Sequence, residues 1–239
     1  MKKQISALFV TLALSNTALA SEWGYEGDHG PEHWGNVAKE CAMGKNQSPI
    51  DIAQPIEAEM KALELNYVGQ VVSLTNNGHT LQAGVSGKNF LNVDGKSFEL
   101  KQFHFHTPSE NVIRGKQYPL EAHFVHADSE GNLAVVAVMF DTGKQNPLLN
   151  ELTAKMPTVG EQVTLPYAFD VAALLPKQQD YYRFNGSLTT PPCSEGVRWF
   201  VLKQASELSS SQTEQLMSVM GHNNRPLQPL NARTVLSKD

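Results

Sequence analysis

The sequence predicts one sheet-dominated domain with few helices, and three observations carry that reading. Residues 63 to 140 alternate apolar and polar positions between closely spaced turn signals, the pattern of successive half-buried antiparallel strands. Leu133 to Phe140 is nearly all apolar and rich in β-branched residues, as a central strand covered on both faces requires. Only two segments carry the chemistry of a helix start. A single domain of 239 residues buries roughly 70–75% of its unfolded surface, enough to close a core without a staple.

Taken in order, residues 1–20 are expected to precede the fold. Lys2 and Lys3 give a basic start, Ile5 to Leu14 an apolar run broken by Ser6 and Thr11, and Ala18-Leu19-Ala20 a small-x-small cleavage pattern. Together they read as a secretory signal peptide cut after Ala20, leaving 21–239 as the domain. The run is shorter than the ~20 apolar residues of a membrane span, and no later stretch is long enough, so no span is expected. Residues 21–50 have no period, but Trp23, Tyr25 and Trp34 favour an ordered wrapping segment over a loose tail. The strands that follow are separated by Asn77-Gly78, Ser86-Gly87, Asp94-Gly95, Arg114-Gly115 and Glu130-Gly131. Asn146-Pro147 before Leu148, Leu149 and Leu152 predicts a capped helix with proline at its first position. Ser211-Gln212-Thr213-Glu214 predicts a capping box before a run that Gly221 ends.

Lys and Arg number 19 against 24 Asp and Glu, for a net charge of −5. That balance excludes the basic footprint of a nucleic-acid binder. Two cysteines, Cys41 and Cys193, lie in the exported part. An oxidising compartment favours a disulfide between them, with two buried thiols as the alternative. Zinc ligation by this pair is disfavoured, because no Cys-x-x-Cys spacing exists.

The chemistry concentrates in Gln102-Phe103-His104-Phe105-His106 and Glu121-Ala122-His123-Phe124-Val125-His126. Side chains alternate faces along a strand. Gln102, His104 and His106 therefore share one face and Phe103 and Phe105 the other. In the second strand, Glu121, His123 and Val125 share a face. Antiparallel pairing across the Arg114-Gly115 turn would bring His104, His106 and His123 to one point. Three imidazoles with an open fourth position is the catalytic zinc arrangement. Gln102 and Glu121 stand two residues before ligands on the same face, where partners that fix imidazole tautomers are needed. His126 fails the parity test and is assigned to structure. A cupin-type site is the rival reading, with Glu110 joining His104 and His106 as a ligand to iron or manganese. The second cupin motif needs a Pro-x-Gly, and here Pro119 is followed by Leu120 and Glu121.

The order of further motifs resembles the α-class carbonic anhydrases over nearly the whole exported chain. The matching pieces are Trp23-Gly24-Tyr25, Gly30-Pro31-Glu32-His33-Trp34, Gln47-Ser48-Pro49-Ile50-Asp51 and Asn77-Gly78-His79. They continue through both histidine strands and Ser109-Glu110 to Gly186-Ser187-Leu188-Thr189-Thr190-Pro191-Pro192 and Arg225-Pro226-Leu227-Gln228-Pro229-Leu230-Asn231. The resemblance implies a mainly β (α+β) fold, with a mostly antiparallel twisted central sheet and short peripheral helices. It implies one Zn(2+) on His104, His106 and His123, and reversible hydration of carbon dioxide to bicarbonate and a proton, by attack of hydroxide generated at the metal.

It further implies that Thr189 and Glu110 orient that hydroxide. Thr189 and Thr190 contact bicarbonate, and Val125, Val135, Leu188, Val197 and Trp199 form the apolar carbon dioxide wall. His79 is the proton shuttle and Tyr25 belongs to the water network, while His29, His33 and His222 are read as surface or packing residues. The cysteine pair matches positions bridged in bacterial and secreted members, so the periplasm is the expected location, with secretion as the alternative. Homodimerisation is implied by analogy. Thr107-Pro108 replaces the Trp-Gly of many animal members and is expected to alter only the loop before Glu110. An exported zinc-binding module without catalysis is the other functional class to be tested; storage would need neither the Thr189–Glu110 pair nor the wall.

Overall fold

The computed structural model describes residues 23–238; the segment expected to be a signal peptide, residues 1–20, lies outside the described residues. The alternating stretch forms the strands Gln70–Asn76, Leu81–Val85, Asn89–Val93, Lys96–His106, Leu120–Ala127 and Leu133–Thr142. One turn shows how tightly sequence sets register. Asp94 and Gly95 have φ of 54° and 73° and join Val93 directly opposite Lys96, the left-handed two-residue hairpin that Asp-Gly favours.

These strands belong to a thirteen-stranded mixed sheet. Its main path runs Gln162–Asp170, Gln70–Asn76, Leu81–Val85, Lys96–His106, Leu120–Ala127, Leu133–Thr142, Glu195–Leu202, Tyr181–Ser187, Leu236–Lys238 and Ile56–Glu57. Most ladders are antiparallel. The parallel ones pair Leu133–Thr142 with Glu195–Leu202 and with Ser206–Leu208, and Leu236–Lys238 with Ile56–Glu57. Leu133–Thr142 lies near the middle and is buried from Ala134 to Phe140. Its alternation divides the core in two. Ala134, Val136, Val138 and Phe140 join Phe103, Phe105 and Phe124 on one face. Val135, Ala137 and Met139 join Val197, Trp199 and Val201 on the other. The second face carries the histidines.

Residues 23–43 wrap the sheet as short helical turns rather than as a loose tail. Trp34 is fully buried, meets Trp23 and Tyr25 edge-to-face, and donates its indole N–H to the Gly24 carbonyl at 2.9 Å. The Cys41–Cys193 disulfide bolts this segment to the far end of the chain. The helix Pro147–Thr153 starts as the sequence predicts, with the Asn146 side chain accepting from the Leu148 and Leu149 amides. The helix Ser210–Met220 begins earlier than predicted. Its capping box is Ser209 with Gln212, not Ser211 with Glu214. Gln212 is drawn inward because its amide also donates to the Asn146 carbonyl and to Asn150 Oδ1, while Glu214 stays exposed. Gly221 ends that helix at φ 65°.

Candidate active site

Strand register places His104 directly opposite His123, and His106 opposite Glu121. The pleat puts His104, His106 and His123 on one face, and one ring nitrogen from each falls within 4.8 Å of the others. The ring centroids lie 4.5–5.4 Å apart. Each ring is held through its other nitrogen. His104 Nδ1 meets Gln102 Oε1 at 2.9 Å, and His106 Nδ1 meets the Asn223 carbonyl at 2.7 Å. His123 Nε2 lies 2.9 Å from Glu121 Oε1, close enough for electrostatic pairing but without the alignment of a hydrogen bond. The nitrogens left facing the centre are Nε2 of His104, Nε2 of His106 and Nδ1 of His123.

The donor set fits a metal such as zinc. Burial, reinforced for His104 and His123 by neighbouring imidazoles, pushes all three pKa values below the ordinary histidine range. The rings are therefore neutral and their lone pairs available. Buried polar atoms are normally paired. Among the described residues, the buried side-chain atoms without a hydrogen bond are His106 Nε2 and Glu110 Oε2, which face each other at this centre, and His123 Nε2, which faces Glu121. Glu110 is not a member of the metal-holding group. Its Oε2 lies 3.5 Å from His106 Nε2, while its Oε1 accepts the Arg225 amide at 2.8 Å. This removes the basis of the cupin reading, which needed Glu110 as a ligand.

The Thr189 side chain instead neighbours Glu110 closely enough to favour its charged form. Burial pushes its carboxyl well above the usual range, against the pull of the Arg225 amide and Thr189. The loop carrying Thr189 is tied down at both ends. Leu188 donates its amide to the Ser194 carbonyl, and Cys193 donates to the Thr190 carbonyl at 2.8 Å. Glu121 is fully buried, and its Oε2 accepts the amides of Glu110 and Asn111 at 2.7 and 2.8 Å. Its Oε1 accepts Asn111 Nδ2 at 2.8 Å. One carboxylate thus supports both His123 and the backbone that carries Glu110.

The expected apolar wall is a contiguous surface. Val135 pairs with Val125 on one side and Trp199 on the other, and Ala137 pairs with His123. Val197 joins this cluster, and Leu188 and Val125 pack against it at partial exposure. The Trp199 ring meets His123 edge-to-face at 4.9 Å. A cavity of about 150 Å³ reaches His104, His106 and Thr190 between Trp23, Tyr25 and His79. Burial lowers the His79 pKa and raises that of Tyr25, the latter with help from the Glu110 charge. His126 lies on the other face, with Nε2 2.6 Å from the Tyr67 hydroxyl and Nδ1 3.2 Å from the Ala134 carbonyl.

Sequence reasoning missed Asn223, Asn111 and the role of Arg225. Asn223 is fully buried and reaches His106 through its carbonyl. Its side chain accepts the Thr107 amide and donates to the carbonyls of Phe105 and His79. Arg225 sends its guanidinium to Gln47 Oε1 and to the Ser48 and Cys41 carbonyls, so the residue bracing Glu110 also anchors the wrapping segment.

Residues 29–239 match the eukaryotic-type carbonic anhydrase family. The chain is 47% identical over 245 residues to a carbonic anhydrase of Pectobacterium carotovorum, covering 99% of this chain and 100% of that one. It is 44% identical over 246 residues to a carbonic anhydrase of Neisseria gonorrhoeae, covering 98% of each. The solved α-carbonic anhydrase of Photobacterium profundum superposes with a TM-score of 0.89 at 62% identity, covering 90% of this chain and 100% of that one. The chain belongs to the α-class, eukaryotic-type carbonic anhydrase family.

Proposed function

We infer that the chain is a zinc lyase, a carbonate dehydratase that interconverts carbon dioxide and bicarbonate. The observation that carries this is the convergence of three neutral imidazole nitrogens within 4.8 Å beside the buried Thr189–Glu110 pair, in a chain of this family. One zinc per chain, when bound, supplies the Lewis acidity that makes hydroxide available near neutral pH, carbonic anhydrase being the standard example of that effect. His104, His106 and His123 are the proposed ligands, with Gln102, Glu121 and the Asn223 carbonyl fixing their rings.

The protein's own groups do the positioning. Glu110 accepts the Thr189 hydroxyl proton, which leaves the Thr189 oxygen lone pairs to accept a proton from the nucleophile and aim it. The Thr189 amide and Thr190 contact bicarbonate. Val125, Val135, Leu188, Val197 and Trp199 form a surface on which apolar carbon dioxide displaces loosely held water. His79 carries the product proton outward, since an imidazole exchanges protons near neutrality without a large mismatch. Tyr25 holds ordered water beside it.

The leader pattern in residues 1–20 and the disulfide support export, with the domain spanning 21–239 and residing in a bacterial periplasm. No helix among the described residues is long and apolar enough to cross a membrane. A homodimer is proposed on family likeness alone. Stopped-flow hydration with a pH indicator, before and after metal stripping and zinc restoration, tests the central reading. Fast hydration that vanishes and returns with zinc is expected; a folded, zinc-loaded protein without turnover would leave a binding module in its place.

A further inference from the structure

His79 lines two cavities at the mouth of the site. Its ring stacks on Trp23, centroids 3.8 Å apart and planes within 10°. With Tyr25, these two side chains line the inner cavity that reaches His104 and His106, and they also line an outer basin of about 400 Å³. His29 and His222, both exposed, line the same basin, with Glu26 as its carboxylate. Three imidazoles therefore border one solvent-open basin, and the mechanism above uses only one of them.

The position of His222 is set by the same bonds that build the site. On one side of it, the Gly221 carbonyl accepts the Thr107 hydroxyl at 2.7 Å. On the other, Asn223 donates its side-chain amide to the His79 carbonyl at 3.0 Å and accepts His106 Nδ1 on its own carbonyl. The backbone thus ties His222 to the His79 segment and to a candidate ligand, while its ring is left in the basin.

We propose that His222 is a second proton-relay residue, which takes the proton from His79 across the outer basin and passes it to buffer, with His29 as a further acceptor in the same basin. The inference rests on the carbon dioxide hydration reading. Each transfer protonates one imidazole as it deprotonates the other, so the relay ends with both rings neutral and one proton on buffer. Burial of His79 disfavours its charged form, which favours passing the proton outward.

The test combines kinetics with a readout that needs no turnover. In dilute buffer, His222→Ala is expected to lower kcat roughly 10-fold while His79 is present, and to add little in a His79→Ala background, where the proton that His222 would receive is missing. kcat/KM, which reports the carbon dioxide step, is expected to stay at the wild-type value in His222→Ala, and imidazole to restore kcat. An unchanged kcat in His222→Ala, or a full additional loss in the double variant, overturns the proposal. A parallel fall in kcat/KM does so too, by making His222 structural. NMR titration of the imidazole C2 protons in the zinc-loaded protein is expected to show the His79 curve moving on His222→Ala, as coupled sites do; an unmoved curve overturns the relay. Wild-type protein that shows this coupling but no hydration would sink the catalytic reading and not the linkage of the two imidazoles.

Discussion

Replacing Glu121 by Gln separates charge and tautomer control from packing. The carboxylate is fully buried and receives the Glu110 and Asn111 amides on Oε2 and Asn111 Nδ2 on Oε1. A Gln of the same shape keeps its oxygen where the two backbone amides point, which places its NH2 against Asn111 Nδ2 and His123 Nε2. Asn111 can turn its own oxygen toward that NH2 only by giving up the bond from the Ile50 amide at 3.2 Å. His123 then faces a donor at Nε2 and must carry its proton on Nδ1, the nitrogen aimed at the metal centre. Losing such a partner of a ligand costs about 10–100-fold in metal affinity, or roughly 1.4–2.8 kcal/mol. Chelator competition measures the zinc dissociation constant directly, and circular dichroism checks the fold. A Glu121→Gln protein that binds zinc within twofold of wild type would refute the tautomer argument. Glu121→Ala is the poorer probe, because it orphans three buried donors at about 1–3 kcal/mol each and confounds affinity with folding.

Val135→Phe fills the apolar wall beside Val125 and Trp199, so kcat/KM is expected to fall roughly 100-fold or more while stoichiometric zinc remains; retained kcat/KM would remove Val135 from the substrate surface. His126 is held neutral between the Ala134 carbonyl and the Tyr67 hydroxyl, with its pKa pushed down to about 4 by burial from an ordinary 6.5. Its contribution is therefore complete above pH 6.5 and shrinks as pH falls toward 4, by about 3 kcal/mol in all. Urea midpoints of the zinc-loaded protein across that window check this against Tyr67→Phe/His126→Leu, which is expected to flatten the slope; an unchanged slope refutes it. Cys41→Ser/Cys193→Ser opens a cross-link spanning 152 residues and is expected to cost about 5 kcal/mol on the chain-entropy model. Equal denaturation midpoints for the two proteins would show that the link contributes nothing to stability.

The metal centre was legible in the sequence because it obeys the two-residue period of a strand. His104 and His106 share a face by parity, His123 lies opposite His104 by register, and His126 falls on the core face for the same reason. Gln102 and Glu121 were readable as ring partners because they sit two residues from their histidines on that face. Thr189 and Glu110 are far apart in sequence, and only their place in an ordered set of family motifs predicts their pairing. Asn223 and Arg225 escaped for a different reason. The atoms that reach His106 and Glu110 are a backbone carbonyl and a backbone amide, which nearly every residue has, so no side-chain type signals the role. The cap of the Ser210–Met220 helix was misplaced because Ser209 and Ser211 both offer a hydroxyl. The choice is made by Gln212 reaching Asn146 and Asn150, a tertiary contact.

The site's polarity carries a structural cost that explains its wiring. Glu110, Glu121, Asn111, Asn223, His106 and His123 are all buried, and an unpaired group in such a place costs about 1–3 kcal/mol. The network meets this by giving single groups several partners. Glu121 accepts three N–H donors, Asn223 ties His106 to Thr107 and His79, and Arg225 ties Glu110 to Gln47, Ser48 and Cys41. Two of the atoms it leaves without a hydrogen bond, His106 Nε2 and Glu110 Oε2, lie 3.5 Å apart beside the point where the three imidazoles converge. On the proposed function, Glu110 Oε2 and the Thr189 hydroxyl are acceptors set before substrate enters, beside the imidazoles that would hold the metal.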